Sequence, residues 1–255
     1  MSQPAGQDDS DAVAVTWMPD LLYVNGRFEP DTALACDREG RIIAVLPLND
    51  LRELFGGRIP TDETVNVAVP ESGIIFATRF VRLRDRAILP GLVNAHSHAF
   101  QRVIRGRTER RSRRHARDSF WTWREEMYSA AKRLTPEDIY DASRMAFLEM
   151  TLGGITSVGE FHYLHRTPEG TEYDDPNLLA MQVVRAARDT GLRIALLRVA
   201  YARSGFQTAP DARQNRFIEP DAEAYLRHVE ELQARLSSPD DAFAGAWAGV
   251  APHSV

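Results

Sequence analysis

Cysteine is almost absent from the sequence: Cys36 is the only one in 255 residues. A disulfide framework within the chain is therefore excluded, and we expect a reducing compartment, which predicts a cytoplasmic location. Long apolar runs, heptad repeats and a Gly-X-Y period are also missing, so membrane-spanning, coiled-coil and collagen-like classes are excluded and no membrane partner is expected. The first 11 residues are polar and acidic, which predicts a disordered N-terminus, 1–11, without a secretory signal peptide.

Lysine is scarce as well, because Lys132 is the only one among 31 basic residues. The formal net charge is −5, and this mildly acidic balance argues against a general nucleic-acid binder. Hydrophobic residues make up 44% of the chain and charged residues 26%, values typical of a soluble globular protein. A single TIM barrel occupies roughly 250 residues, so the chain has room for one barrel only if no other domain uses part of it.

The first third of the sequence is typical of short strands. An apolar run, 21–24, leads into Asn25-Gly26, the strongest short hairpin signal. Further strands are expected at 32–36, 41–45, 64–69 and 76–83, with a short helix at 48–55. These patterns predict a small β-rich domain at residues 12–88.

After Arg86 the sequence alternates between apolar strands and amphipathic helices. The run 87–95 is mostly apolar, as expected for a strand buried on both faces. Thr135-Pro136 predicts the start of a helix that ends at Gly153-Gly154. Further strands are expected at 155–161, 192–200 and 246–251, with helices that open at Asp175-Pro176 and at Pro220. This alternation predicts a parallel sheet covered by helices.

Two histidines directly after the first of these strands are the sharpest chemical feature. His96 and His98 are two positions apart, so in a strand both imidazoles lie on one face and can approach a single ion. Neutral imidazole is a good ligand for zinc and similar first-row ions. Two half-buried histidines with ordinary hydrogen bonds would give the same pattern. Their place at the carboxyl end of a parallel strand favours the metal site, because barrel active sites lie at that face.

The residues around these histidines resemble a known family. The run 88–98 is similar to the metal-binding first strand of the amidohydrolase superfamily. Four further segments narrow the resemblance to the formimidoylglutamate deiminases of histidine degradation: Ala99-Phe100-Gln101-Arg102, Asp118-Ser119-Phe120-Trp121-Thr122-Trp123-Arg124, Glu160-Phe161-His162-Tyr163 and Ala251-Pro252-His253-Ser254. The resemblance implies an α/β fold in which the small β-rich domain precedes residues 89–255, the first half of a TIM-like (β/α)8 barrel.

The reaction implied by the resemblance is zinc-dependent hydrolysis of N-formimidoyl-L-glutamate to N-formyl-L-glutamate and ammonia. His96 and His98 match two metal ligands of the family, so one Zn²⁺ per site is implied, and another first-row divalent ion stays open. Bound zinc makes hydroxide available near neutral pH for attack on the formimidoyl carbon.

The resemblance also implies substrate contacts for Gln101, Arg124, Tyr163 and His253. Arg124 offers a planar fork for a carboxylate, and the implied partner is a small-molecule dicarboxylate. Gln101 and Tyr163 can orient polar groups by hydrogen bonding. His253, at the end of the fourth strand, is a catalytic candidate as well, since it could stabilise developing charge.

Each of these residues also has an ordinary structural interpretation. Arg124 fits a surface salt bridge on a helix, and Tyr163 fits a packed aromatic. Glu160 fits either a support for a ligating imidazole or a plain acid at a strand end. For His165 and His228 we expect exposure to solvent.

An arginine-rich stretch offers a competing function. Seven arginines lie within thirteen positions, followed by two tryptophans, a pattern that also occurs in binders of RNA or single-stranded DNA: Arg105, Arg107, Arg110, Arg111, Arg113, Arg114 and Arg117. A solvated loop in an arginine-biased composition is the preferred interpretation, so no nucleic-acid partner is expected.

Only four of the eight barrel strands are predicted, and the family's remaining ligands, a histidine on the fifth strand and an aspartate on the eighth, have no counterpart in the sequence. We expect the chain to be the N-terminal portion of a longer deiminase, itself inactive. A short product without catalysis and a second chain that supplies the other half stay open, as do a homodimer of the full-length protein and an aminohydrolase acting on a purine or triazine ring.

Overall fold

The computed structural model describes residues 13–61, 63–68, 75–108, 120–238 and 245–253. The expected disordered start, 1–11, and most of the arginine-rich stretch lie outside these residues. The chain divides into two compact units, Met1–Pro90 and Gly91–Val255. None of the helices in the described part of the chain is long and apolar enough to cross a membrane.

Within the described residues, the first unit is a sheet of six strands with one helix, and two of the strands, of 12 and 14 residues, are longer than the sequence predicts. Its elements are β1 (Val13–Val24), β2 (Arg27–Glu29), β3 (Thr32–Asp37), β4 (Ile42–Pro47), α1 (Leu48–Leu54), β5 (Thr64–Ala68) and β6 (Ile75–Ile88). The strand order is β4-β3-β1-β6-β5, with β2 paired to β1. The hairpin at Asn25-Gly26 is confirmed, and both residues have the positive φ (51° and 83°) that a tight type I′ turn needs. Met18 and Phe80 pack with α1 in the core.

The second unit is a parallel sheet covered by helices, as the sequence predicts. Its elements are β7 (Leu92–Ser97), α2 (Phe120–Ala131), α3 (Pro136–Leu152), β8 (Ile155–His162), α4 (Leu178–Thr190), β9 (Arg193–Tyr201), α5 (Ala222–Ser237) and β10 (Ala246–His253), with 3₁₀ helices at Ala99–Ile104 and Ala212–Gln214. The strands are all parallel in the order β10-β9-β8-β7. This β/α succession is the arrangement from which a TIM-like barrel is built.

Local signals set the ends of the helices. Thr135 and Asp138 form a reciprocal capping box at the start of α3, and Gly191 ends α4 in the left-handed conformation with φ of 72°. Two helix starts differ from the prediction. Helices α4 and α5 begin two residues later than Pro176 and Pro220, and in α5 the cap is Asp221, whose carboxylate accepts from the Ala224 amide.

The run 87–95 is not the single buried strand that its composition predicts. Ile88 ends β6, whereas β7 begins only at Leu92, because Pro90 has no amide hydrogen to extend a ladder. A Cβ atom at Gly91 would lie 2.2 Å from the side chain of Thr156, so only glycine fits there. Within the described residues β7 pairs with β8 alone, and its edge position leaves Val93 70% exposed.

Alternate residues of the parallel strands face opposite sides of the sheet. On β8 and β9 the helix-covered face carries Val158, Leu196 and Ile194, which belong to the core formed with α3 and α4. The same face carries the buried polar residues Glu160, His162 and Arg198. Phe161 and Tyr201 are on the opposite face, next to the cavity described below.

Candidate active site

A cavity of about 390 Å³ lies at the carboxyl ends of the parallel strands. Five residues singled out from the sequence line it: His98, Gln101, Arg124, Tyr163 and His253. Each of β7, β8, β9 and β10 brings a residue to its wall from the end of the strand or the turn that follows. We call it the strand-end cavity. In parallel α/β sheets this end is where ligands bind.

Two histidines at the carboxyl end of β7, His96 within the strand and His98 directly after it, form the corner of the site that suits a metal ion. The Nε2 atoms of His96 and His98 lie 3.1 Å apart. Nδ1 of His98 is 3.1 Å from the carbonyl oxygen of Phe161, so the hydrogen of a neutral ring at Nδ1 donates to that oxygen and leaves the Nε2 lone pair available. Burial, followed by the neighbouring His96 and His253, lowers the pKa of His98 despite this bond. A neutral His98 suits metal ligation.

These nitrogens supply part of a zinc site. Zinc binds imidazole nitrogen at about 2.0–2.1 Å, so two nitrogens of one site lie a little over 3 Å apart. The measured separation of 3.1 Å fits that requirement. No group of three or more histidines, cysteines, aspartates or glutamates that could hold a metal occurs among the residues that the structure describes. The described donor set therefore fits a zinc ion but stays below the three protein ligands of a catalytic site.

Gln101 and Tyr163 form a hydrogen-bonded pair in the cavity wall. Nε2 of Gln101 donates to the Tyr163 hydroxyl over 2.7 Å. Burial raises the pKa of Tyr163 well above its ordinary value, so its hydroxyl stays protonated. Tyr163 is 5% exposed, which agrees with its alternative interpretation as a packed aromatic, yet its hydroxyl pairs with a residue that faces the cavity.

Glu160 supports the segment that carries Gln101. Its buried carboxyl accepts from the Ala99 amide over 2.7 Å, at the start of the 3₁₀ helix Ala99–Ile104. Burial raises the pKa of Glu160 to about 7, although the bonds from Ser97 and Ala99 oppose the change. Its contacts among the described residues go to backbone and hydroxyl groups beside the histidines, so it braces the turn after β7.

Arg124 projects from α2 into the cavity and forms no ion pair with an acid among the residues that the structure describes. Its Nε donates to the hydroxyl of Tyr128, one helical turn away, and its guanidinium lies 5.1 Å from the centre of that ring and 5.5 Å from Trp121. Within the described ranges no carboxylate lies within 4.0 Å of it. The surface salt bridge considered from the sequence is therefore absent there, and the charge faces the cavity.

His253 ends β10 beside two aromatic rings. Its imidazole stacks on Tyr201 at a centroid distance of 4.6 Å and meets Phe161 edge-on at 5.8 Å. Burial and the positive charge of Arg124 both lower the pKa of His253. The ring at this wall is therefore predominantly neutral at pH 7.

Three other histidines lie away from the cavity, and the expectation for two of them is wrong. His165 and His228 are only 4% and 6% exposed, not solvated. They belong with His162 to a buried polar cluster around Arg198 and Glu219 on the helix-covered side of the sheet. No charge pattern in the sequence distinguishes them, because their acidic partners are distant in the chain.

Sequence reasoning also missed Tyr128, which lines the cavity, and Gln214, which lies behind it. Tyr128 and Gln214 contact each other through a bond of 2.6 Å from Gln214 Nε2 to the Tyr128 hydroxyl. The spacing of Tyr128 four residues after Arg124 on a helix is a signal that could have found the first of them. Gln214 comes from the 3₁₀ helix Ala212–Gln214, 86 positions further on, and no local pattern points to it.

Comparison with known proteins agrees with the arrangement of the parallel strands and helices. The model of the amidohydrolase family matches residues 87–253. Formimidoylglutamate deiminase of Pseudomonas aeruginosa is 44% identical over 170 residues, which cover 66% of this chain and 36% of that protein. A 5-methylthioadenosine/S-adenosylhomocysteine deaminase of Natronomonas pharaonis is 30% identical over 123 residues, 44% of this chain and 27% of that protein.

A solved structure extends the similarity to the fold. The crystal structure of an amidohydrolase from Brucella melitensis superimposes with a TM-score of 0.72 at 32% identity. The match covers 93% of this chain and 46% of that one. The chain therefore spans less than half the length of these relatives.

Proposed function

Since the chain belongs to the amidohydrolase family, we propose that the protein is a zinc-dependent deiminase that hydrolyses N-formimidoyl-L-glutamate to N-formyl-L-glutamate and ammonia. The observation that carries this proposal is the strand-end cavity, which is lined both by an arginine without an ion-pair partner in the described residues and by a histidine suited to metal binding. A substrate that carries an amidine at one end and a side-chain carboxylate at the other fits a cavity with both groups in its wall.

His96 and His98 would hold the zinc ion, together with ligands that are not among the described residues. When bound, zinc lowers the pKa of a coordinated water to about 7 and so provides a nucleophile. The residues around the two histidines would orient the ligating nitrogen. The Phe161 carbonyl keeps the His98 hydrogen at Nδ1, so Nε2 points toward its neighbour His96 with its lone pair available.

Arg124 would bind one carboxylate of the substrate. Its Nε is occupied by Tyr128, which leaves the two terminal nitrogens for a bidentate contact with a carboxylate. A guanidinium next to aromatic rings is poorly hydrated, so such a contact is stronger there than on an open surface. Gln101 and Tyr163 would hydrogen-bond to other polar groups of the substrate from the adjacent wall.

His253 would contact the reacting end of the substrate. Its ring is fixed by stacking on Tyr201 and is predominantly neutral at pH 7, so one nitrogen can donate and the other accept a hydrogen bond. We assign it a role in substrate binding and in stabilising charge that develops during hydrolysis.

The test is turnover by the full-length protein with zinc. Ammonia release from N-formimidoyl-L-glutamate should exceed release from adenosine or 5-methylthioadenosine by at least about a hundredfold in kcat/KM, the discrimination expected from a charged contact in a partly buried site. Zinc content, measured by atomic emission, should fall in the H96A and H98A variants. An H165A variant serves as a control, because His165 lies outside the cavity.

A ring deaminase is the second candidate. The cavity wall contains Phe161, Tyr163, Tyr201 and Phe217, and such rings can stack against a purine. Preferential turnover of a purine nucleoside in the same assay would replace the dicarboxylate assignment with this one.

A further inference from the structure

The hydroxyl of Tyr128 lies at the centre of a small network beside the strand-end cavity. It accepts hydrogen bonds from Arg124 Nε and from Gln214 Nε2, the latter over 2.6 Å. Tyr128 is 4% exposed and Gln214 is fully buried. The network therefore links helix α2 to the 3₁₀ helix Ala212–Gln214 through two side chains that are held by packing.

The network restricts the guanidinium of Arg124. An arginine side chain has several rotatable bonds and loses their freedom when it binds a ligand. Here the Nε bond to the Tyr128 hydroxyl and the contact with the Tyr128 ring hold the plane of the group before any ligand arrives. The edge that carries the two terminal nitrogens is the edge that a carboxylate binds.

A second arginine near the same ring shows why Arg124, and not this neighbour, is available to bind a carboxylate. Arg213 lies 5.4 Å from the centre of the Tyr128 ring, on the 3₁₀ helix that also carries Gln214. Its guanidinium is paired with Asp211 through a bond of 2.7 Å. Arg124 has no such partner among the described residues, so of these two cations it is the one left for a ligand.

We propose that Tyr128 is a positioning residue that holds the Arg124 guanidinium in the orientation that binds a carboxylate, with Gln214 as its buried anchor. This inference rests on the proposed function, because it assumes that a dicarboxylate occupies the cavity. It goes beyond that function by assigning the affinity for the carboxylate to a three-residue unit and not to the arginine alone.

The test is a double-mutant cycle read by binding, in the full-length zinc-loaded protein. Calorimetric titration with N-formyl-L-glutamate and with glutarate compares the native protein, Y128F, R124A and the double variant. Y128F should weaken binding by roughly tenfold, the size expected for a hydrogen bond to a charged group, with the ring still in place. Because Tyr128 acts through Arg124, Y128F should cause no further loss when combined with R124A. In turnover, Y128F should raise KM more than it lowers kcat.

Y140F is the matched control. The Tyr140 hydroxyl also makes a side-chain hydrogen bond, to Asp189, and Arg185 lies over its ring at 4.2 Å, but the residue is on α3 and does not line the cavity. It should bind both probes as the native protein does.

The proposal is overturned by unchanged binding in Y128F, by a loss that persists in the R124A background, by an equal loss in Y140F, or by a native protein that binds neither dicarboxylate. The proposed function is judged separately. Binding with the expected cycle but without ammonia release from N-formimidoyl-L-glutamate would support the positioning role and reject the deiminase.

Discussion

Arg198 and Arg124 belong to the same parallel-sheet unit but lie in opposite electrostatic settings. Arg198 is 1% exposed, and its guanidinium pairs with Glu219 and donates to Asn177 over 3.0 Å and to the Pro176 carbonyl over 3.3 Å. Arg124 donates to a tyrosine and otherwise faces a cavity. A buried cation that is fully paired holds elements of the fold together, whereas a half-buried cation without an acid is available to a ligand. The acceptors around an arginine therefore indicate its role better than its burial does.

The largest effect on stability should come from removing Glu219, the acid beside Arg198. E219A should lower the free energy of unfolding by about 3–5 kcal/mol, because it leaves a buried guanidinium without its counter-charge. Urea unfolding of the full-length protein measures the change. E172A is the control: Glu172 contacts His228 of the same cluster over 3.1 Å but is 46% exposed, so its loss should have little effect. Equal stability of E219A and the native protein would contradict a structural role for the pair.

Removal of Arg124 should give the reverse outcome. R124A should lower kcat/KM for N-formimidoyl-L-glutamate by roughly a hundredfold, since a charge-assisted bidentate contact is lost. The free energy of unfolding should change by less than about 0.5 kcal/mol, because no carboxylate among the described residues forms an ion pair with Arg124 within 4.0 Å. A loss of stability without a loss of activity would show that the two arginines have the same structural role.

The buried cluster should also make stability depend on pH. Burial and the charge of Arg198 lower the pKa of His162 to about 3, against about 6.5 in the unfolded chain. As pH falls below about 6.5, the unfolded state takes up a proton that the folded state does not, so the folded state loses stability by up to about 1.4 kcal/mol per pH unit. Between pH 7 and pH 5 this amounts to about 2 kcal/mol.

Urea titrations at pH 7, 6 and 5 measure that dependence. H162L removes the titrating group, and its stability should decline less steeply than that of the native protein over this range. The slope should not vanish, because burial also lowers the pKa of His165 well below its ordinary value. Parallel curves for the native protein and H162L would show that His162 titrates normally.

A third arginine, Arg235, should have the smallest effect of an ion pair on the free energy of unfolding. Arg235 pairs with Asp175 over 2.6 Å, but both side chains are more than a third exposed. R235A should lower the free energy of unfolding by less than about 1 kcal/mol, because water and salt screen the pair. If R235A lowered the free energy of unfolding as much as E219A does, burial would not explain the difference between the two ion pairs.

Signals that act between neighbours in the chain could be predicted from the sequence. The hairpin at Asn25-Gly26, the capping box at Thr135 and the stop at Gly191 are set by the conformational preferences of a few adjacent residues. The alternation of strands and helices predicted the parallel sheet. The place of His98 directly after a strand predicted that it lies at the carboxyl ends of the strands, where the cavity is.

Features that depend on distant contacts could not be predicted in the same way. Gln214 reaches Tyr128 across 86 positions, and Arg198 meets Glu219 across 21, so nothing beside these residues marks them. The composition of 87–95 predicted burial, yet Val93 is exposed because its neighbours in space, not its own hydrophobicity, decide what covers it. His165 and His228 were misjudged for the same reason.

The close approach of Gly91 to Thr156 has a consequence for how related sequences can diverge. The position of a Cβ at residue 91 is already filled by the side chain across the β7–β8 pair. Natural drift at the two positions should therefore be coupled: alanine at 91 should be accompanied by a smaller residue at 156, and a bulkier residue at 156 should require glycine at 91. In an alignment of relatives the two columns should covary. Such covariation would indicate that this close contact restrains the register of the first two parallel strands.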